Sequence, residues 1–272
     1  MLVMPHRRLF AALCAVGLLA VALPATSSAS TRSKTKPLAA NGGSATLTVH
    51  CPSGQLATGG GFRTPPPGTT FAAVWQSRKW GQRAWRVSAT EFSGTPSSVR
   101  AYVYCASGAP QTDNRSSGLT SAVANAACQG SQSAQAGGFL LRRGSSGFLD
   151  SFRVGGDSWR VRDVNNESIH DYAYCAGGPE PGVKKKTKSS MASGVPLTVD
   201  SRKCAGQALS GGLAQPDSGS FFMTYFVTES RRVGHGQRWR TTGTFFSMGP
   251  PPAPVRLTSL AYCQPGGGSD DE

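Results

Sequence analysis

The sequence predicts an all-β protein built from three internal repeats, each closed by one disulfide. A closing motif, Ala101-Tyr102-Val103-Tyr104-Cys105, returns as Asp171-Tyr172-Ala173-Tyr174-Cys175 and as Leu260-Ala261-Tyr262-Cys263. Each copy answers an upstream cysteine (Cys51, Cys128 or Cys204), with a glycine pair after that cysteine and a Trp-Arg pair further on. No stretch sustains a helical period. β-branched and aromatic residues alternate between closely spaced turn signals instead, which is the pattern of strands.

The chain opens on an expected export signal, residues 1–29. His6, Arg7 and Arg8 precede an apolar run over 9–23, and small residues over 25–30 offer cleavage at Ala29, with Ala25 as the alternative. The run is shorter than the roughly 20 residues that span a bilayer, so no transmembrane segment is expected after cleavage. Arg7-Arg8-Leu9-Phe10 resembles part of a twin-arginine motif without its flanking residues, and general secretion is the expectation. Residues 30–43, polar and basic, read as a disordered tail.

The first repeat covers 45–106. Residues 46–51 alternate, placing Leu47, Val49 and Cys51 on one face, and Pro52-Ser53-Gly54 turns the chain. A strand over 55–62 holds Gly59-Gly60-Gly61, the mark of a bulge or a close backbone approach. A proline-rich loop over 64–70 leads to strands over 71–76, 84–90 and 99–105. The second repeat, 119–176, places Gly137-Gly138-Phe139 and Trp159-Arg160-Val161 at matching positions. A basic segment over 179–190 reads as a linker. The third repeat, 191–264, has Gly211-Gly212-Leu213 two residues closer to its cysteine, then Trp239-Arg240-Thr241. Residues 265–272 form an acidic tail expected to be disordered. Trp85, Trp159 and Trp239, fixed in alternating strands, are expected in the core with the following arginines facing water.

Removal of the signal, and Cys14 with it, leaves six cysteines in an exported chain, the setting for structural disulfides. Six cysteines allow fifteen pairings, but repeated units close alike: Cys51–Cys105, Cys128–Cys175 and Cys204–Cys263. Closing a loop of about 50 residues removes roughly 4 kcal/mol of unfolded-chain entropy. No CxxC or HxxxH spacing marks a metal site, and no cofactor is expected. Units of about 60 residues are small for independent cores, and such repeats share one. Three sheets about a pseudo-threefold axis, a β-prism, fit this best; three small sandwich-like units in a row are the alternative.

The stretch CPSGQLATGGGF at 51–62, with Trp85-Arg86-Val87 and AYVYC at 101–105, resembles a repeat of secreted actinobacterial proteins of unknown function. More distantly it is similar to the vitelline membrane outer layer protein family, whose fold is a threefold β-prism of Greek-key sheets. The resemblance implies a fold and brings no catalytic residues.

The net charge of +14 is uneven. Much of it lies in the signal, in Arg32, Lys34 and Lys36, and in Lys184, Lys185, Lys186 and Lys188. Nucleic-acid binding needs a continuous basic surface with stacking aromatics, and this distribution argues against it. His50, His170 and His235 share no place in the repeat, and neither a GxSxG nor an HExxH motif is present. The second repeat concentrates Asp150, Asp157, Asp163, Glu167 and Asp171 among Arg153, Arg160 and Arg162, the composition of solvated ion pairs. A basic loop before the central tryptophan is more suggestive: Arg78-Lys79-Trp80-Gly81-Gln82-Arg83, then Arg231-Arg232-Val233-Gly234-His235-Gly236-Gln237-Arg238. Arginine forks match carboxylate, sulfate and phosphate groups, and Trp80 has no repeat counterpart. Arg78, Lys79, Trp80, Arg83, Arg231, Arg232, His235 and Arg238 are therefore the candidate ligand contacts. The expected function is a secreted, non-enzymatic module that binds a glycan or an anionic cell-envelope polymer. The alternatives are a polysaccharide hydrolase using Asp157 and Asp163, or a structural extracellular protein.

Overall fold

The structure is a computed structural model describing residues 29–66, 70–118, 120–121, 123–142, 148–163, 168–215, 223–247 and 254–265. The expected signal up to residue 28, and the acidic tail past Pro265, lie outside the described residues. Within them every regular element is a strand, and no helix is long and apolar enough to cross a membrane.

Repeat one supplies β1 (Ala29–Leu38), β2 (Ser44–His50), β3 (Leu56–Arg63), β4 (Ala72–Lys79), β5 (Ala84–Glu91) and β6 (Ser97–Ala106). Repeat two supplies β7 (Asp113–Ser116), β8 (Thr120–Ser121), β9 (Val123–Ala127), β10 (Ser133–Leu141), β11 (Phe148–Val154), β12 (Ser158–Asp163) and β13 (Ser168–Ala176). Repeat three supplies β14 (Gly182–Ser190), β15 (Leu197–Asp200), β16 (Ala208–Ala214), β17 (Met223–Val233), β18 (Arg238–Ser247) and β19 (Val255–Cys263).

The strands form three sheets that do not coincide with the repeats. Sheet I runs β1-β6-β3-β17-β18-β15, sheet II runs β2-β5-β4-β10-β13-β7 with β8 also on β13, and sheet III runs β14-β19-β16-β11-β12-β9. Each repeat thus gives three or four of its strands to one sheet and three to another. Short antiparallel junctions join the halves: β4 to β10, β11 to β16, and β17 to β3. The last junction returns repeat three to repeat one, so the repeats close a ring while no sheet closes into a barrel. Units in a row are excluded. The disulfides pair as expected, Cys51–Cys105, Cys128–Cys175 and Cys204–Cys263, and each ties one sheet to the next.

Two expectations are corrected. The tail expected to be disordered is β1, paired along its whole length with β6, and the expected linker over 179–190 is β14, paired from Gly182 to Ser190 with β19. Both are sheet edges whose side chains meet water, so neither shows hydrophobic alternation, and charged residues suit an edge that must not pair further. The repeats therefore start near residues 29, 113 and 182.

One apolar cluster draws on all three sheets, with Leu47, Val103, Phe139, Val161, Leu213 and Phe245 among its buried members. Near the axis each glycine pair answers two needs. A Cβ on Gly137 would lie 2.0 Å from the Trp159 indole, and one on Gly138 would lie 2.6 Å from the Ser77 carbonyl oxygen of repeat one. Trp85, Trp159 and Trp239 are buried as expected, and their Nε1 atoms donate to Ser77, Ser151 and Ser230.

The closing tyrosines Tyr104, Tyr174 and Tyr262 are buried. Each reaches the neighbouring repeat. Tyr104 packs edge-on against Trp239, Tyr174 against Trp85 and Tyr262 against Trp159. Their hydroxyls accept the backbone N–H groups of Arg232, Lys79 and Arg153 at 2.6–2.7 Å. The motif that ends each repeat fastens it to the repeat before it in the ring.

Candidate functional site

The two basic loops are β-hairpin turns, joining β4 to β5 and β17 to β18. Gly81 and Gly236 take left-handed φ of 63° and 91° there, as does His235 at 55°. The recurring Gly-Gln-Arg triplet is accordingly turn chemistry. Gln82 docks the start of repeat two, donating to the Thr112 carbonyl at 2.8 Å and accepting the Thr112 N–H at 3.2 Å.

The hairpin residues go to different places. Lys79 turns inward: its Nζ donates to Thr112 Oγ1 at 2.8 Å and to Gln82 Oε1 at 3.3 Å. Burial lowers its pKa to about 8. Arg83 is exposed and donates to the Cys51 carbonyl. Arg231 pairs with Glu229, and Arg232 donates to Gln207 Oε1, Ala208 O and Thr31 Oγ1. His235 and Arg238 are exposed at the turn of repeat three. The hairpins of repeats one and three belong to sheets II and I, so their eight candidate residues do not form one site.

Arg78 and Trp80 do belong to a cluster, on sheet II. β4 and β5 pair with Arg78 directly opposite Arg86. Opposed like charges repel, and burial, then the Arg78 charge, hold the Arg86 guanidinium below its ordinary pKa. Trp80, 41% exposed, props both: Arg86 Cζ lies 3.1 Å and Arg78 Cζ 4.9 Å from its ring centroid. Arg78 also lies 5.0 Å from the ring centroid of Tyr172, which repeat two contributes and which stacks on His170. Arg86 Nε donates to Thr48 Oγ1 at 3.1 Å. Among the described residues no carboxylate pairs with Arg78 or Arg86.

Sheet I is an internal control. There Arg231 stands opposite Arg240, the same like-charge pair. Both are neutralised: Glu229 takes Arg231, and Asp200 receives Arg240 through Nε at 2.7 Å and Nη2 at 2.8 Å. The Arg240 hydrogen bonds hold the Asp200 carboxyl below the usual carboxylate range. At the corresponding places sheet II has Gln76, two residues before Arg78, and Thr48, opposite Arg86. Sheet III replaces the pair with Phe152 opposite Arg160. The fold accommodates the acids, and sheet II lacks them.

Asp157 and Asp163 do not form a glycosidase pair. Asp157 and Asp163 bracket β12, about 20 Å apart at ~3.3 Å per residue, whereas glycoside hydrolysis needs roughly 5–9.5 Å. Asp150 is buried against Arg162 at 2.6 Å, and Asp171 is buried and accepts the Ser117 N–H. Burial raises the pKa of both. Glu167 lies outside the described residues. Among those described, no three His, Cys, Asp or Glu side chains converge on a metal position.

Sequence reasoning missed Arg86 and Tyr172 as members of the cluster. Arg86 was legible as water-facing, since it follows the buried Trp85. Tyr172 was not, because only the junction of β4 with β10 brings repeat two beside Arg78. A scan against models of known families finds no match, and a search of curated proteins finds none either.

Proposed function

We infer that the protein is a secreted β-prism that binds an anionic glycan or a related polyanion of the cell envelope through the Arg78-Arg86 face of sheet II. The observation that supports this reading is the pair of directly opposed arginines left without acids, where the same pair on sheet I has two. Leaving like charges opposed is unfavourable for folding, and local departures of that kind gather at functional sites. Because Arg86 already lies over the Trp80 ring, the indole serves to align two guanidiniums rather than to offer an open sugar platform. Their remaining N–H groups suit carboxylate, sulfate or phosphate groups repeated along a chain.

The test transplants the acids of sheet I. Thr48→Asp with Gln76→Glu keeps both arginines and neutralises them, and Arg78→Gln with Arg86→Gln removes them. Binding of polygalacturonate, polyglycerol phosphate and neutral dextran is measured by biolayer interferometry. At least one polyanion is expected to bind the native protein and to weaken at least tenfold with either pair of changes, while dextran does not bind. Equal polyanion binding by native and neutralised proteins rejects the reading, and so does failure of both polyanions to bind.

A further inference from the structure

A cavity of about 320 Å³ opens where the three repeats meet, at the end of the ring that carries the disulfides. Three β-bulges shape it. The pairing of β3, β10 and β16 with their neighbours shifts across Thr58, Gln135 and Leu209, and all three residues line the cavity. Bulges re-aim side chains and are enriched beside binding sites. These bulges are cross-braced: Thr58 Oγ1 donates to the Tyr104 and Leu209 carbonyls, and Ser210 Oγ donates to the Gln135 carbonyl at 2.8 Å. Each bulge sits at the same place in its repeat, yet the three residues differ in chemistry.

The wall carries one cation, Arg232, and a second, Lys79, lies behind Thr112. Every repeat lays one cation over the closing tyrosine of the next: buried Lys79 by Tyr174, buried Arg153 by Tyr262 and half-buried Arg232 by Tyr104. Arg153 is compensated by Glu180 at 2.8 Å. Among the described residues neither Lys79 nor Arg232 has a carboxylate within ion-pair distance. Arg232 lines the cavity, and Lys79 lies behind Thr112, whose hydroxyl it occupies as an acceptor and so leaves free to donate inward. Gln135, Gln207 and Gln264 add amides, while Pro110, Pro179 and Pro265 supply apolar wall.

We propose that this cavity is a second binding site, for a monosaccharide-sized polyol bearing one anionic group. Arg232 receives the anion, and the glutamines and threonines receive the hydroxyls. The volume stands at the low end of small-ligand pockets, which run from about 300 to 1,000 Å³. The site is independent of the sheet II reading, because it would take a single unit rather than a chain.

The experiment is an isothermal titration of the secreted protein with galacturonate, glycerol 3-phosphate and neutral galactose. One of the two anions binds at least tenfold more tightly than galactose; the anion that does so identifies the group as carboxylate or phosphate. Arg232→Gln abolishes that preference. Since Arg232 also holds Ala208 and Thr31, Leu209→Trp is the companion variant: it fills the cavity from its bulge and leaves Arg232 in place, and it lowers anion affinity at least tenfold. Binding that survives Leu209→Trp at native strength overturns the proposal, as does the absence of any preference for an anion over galactose.

Discussion

Of the three cations that lie over the closing tyrosines, Lys79 alone can lose its proton near neutral pH, since guanidinium groups stay charged. Burial without a carboxylate lowers its pKa to about 8, from 10.5 in an unstructured chain. Between those values the unfolded chain holds a proton that the folded chain has released, so stability rises with pH, by up to about 1.4 kcal/mol per unit. Below pH about 8 the lysine is protonated in both states and contributes no slope. Urea denaturation of the native protein and of Lys79→Met at pH 7, 8, 9 and 10 isolates this effect. The native protein is expected to gain on the order of 2 kcal/mol relative to the variant between pH 8 and pH 10; a difference that stays constant over that range contradicts the assignment. Substitution with methionine leaves Gln82 Oε1 bonded to the Thr112 N–H, and the bond it removes from Thr112 Oγ1 offsets the variant by the same amount at every pH, outside the slope. The composition of the Arg78-Lys79-Trp80 run suggested a single basic surface. Which residues face water depends on β4 continuing through Lys79, so that Arg78 and Trp80 face out while Lys79 faces in.

Elements were legible in proportion to how unevenly their two faces are solvated. β2 could be read from alternation, because one of its faces meets the core and the other water, and the bulge in β3 from its glycines. β5 and β6 are buried on both faces over most of their length and were marked by the repeated Trp-Arg pair and closing motif instead. β1 and β14 could not be read. Their burial patterns are almost wholly exposed, so neither Lys34 and Lys36 nor Lys184, Lys185 and Lys186 carry a period that separates an edge strand from a linker. The glycine pairs were read correctly as places of close approach, but not what approaches them. In β10 the indole of Trp159 stands over Gly137, held by Ser151 through Nε1 at 3.0 Å and by the ring of Tyr262. With the ring fastened at both ends, an added methyl has nowhere to go. Gly137→Ala is therefore expected to lower stability by about 3 kcal/mol, the upper end of the usual range for overpacked cores. Gly130→Ala provides the contrast: its φ of 59° penalises a side chain, yet no atom lies within 4 Å of the added Cβ, so a loss of about 1 kcal/mol is expected. Equal losses in urea denaturation would show that backbone conformation, and not the indole, fixes these glycines.

At the scale of the molecule, the disulfides suggest three closed units while the sheets deny that any unit is complete. The repeated cysteines revealed the pairing; they carried no information about which repeat each half-sheet joins, because that is settled by the junctions β4–β10, β11–β16 and β17–β3. Repeat two taken alone would expose the edges of β10 and β11, leave Phe139 without the edge-on partner Phe62, and leave Tyr174 with neither Trp85 nor the Lys79 N–H. An unpaired inner edge and half an apolar core do not offset the entropy of ordering about 60 residues, even with a disulfide. The ring also makes stability indivisible: loosening one repeat removes a partner from both neighbours. Calorimetry of the protein should therefore give one transition, with calorimetric and van't Hoff enthalpies equal. Cys128→Ser with Cys175→Ser should move that transition down as a whole, by the roughly 4 kcal/mol that such a loop closure supplies, without splitting it. Residues 113–178 expressed alone should show no cooperative melting. Independent units predict the reverse on each count: several transitions, one of them selectively lost with its disulfide, and an isolated repeat that melts where it does in the whole chain. The three measurements depend on different parts of the ring, so agreement among them would locate the cooperativity in the junctions between repeats rather than in any one core.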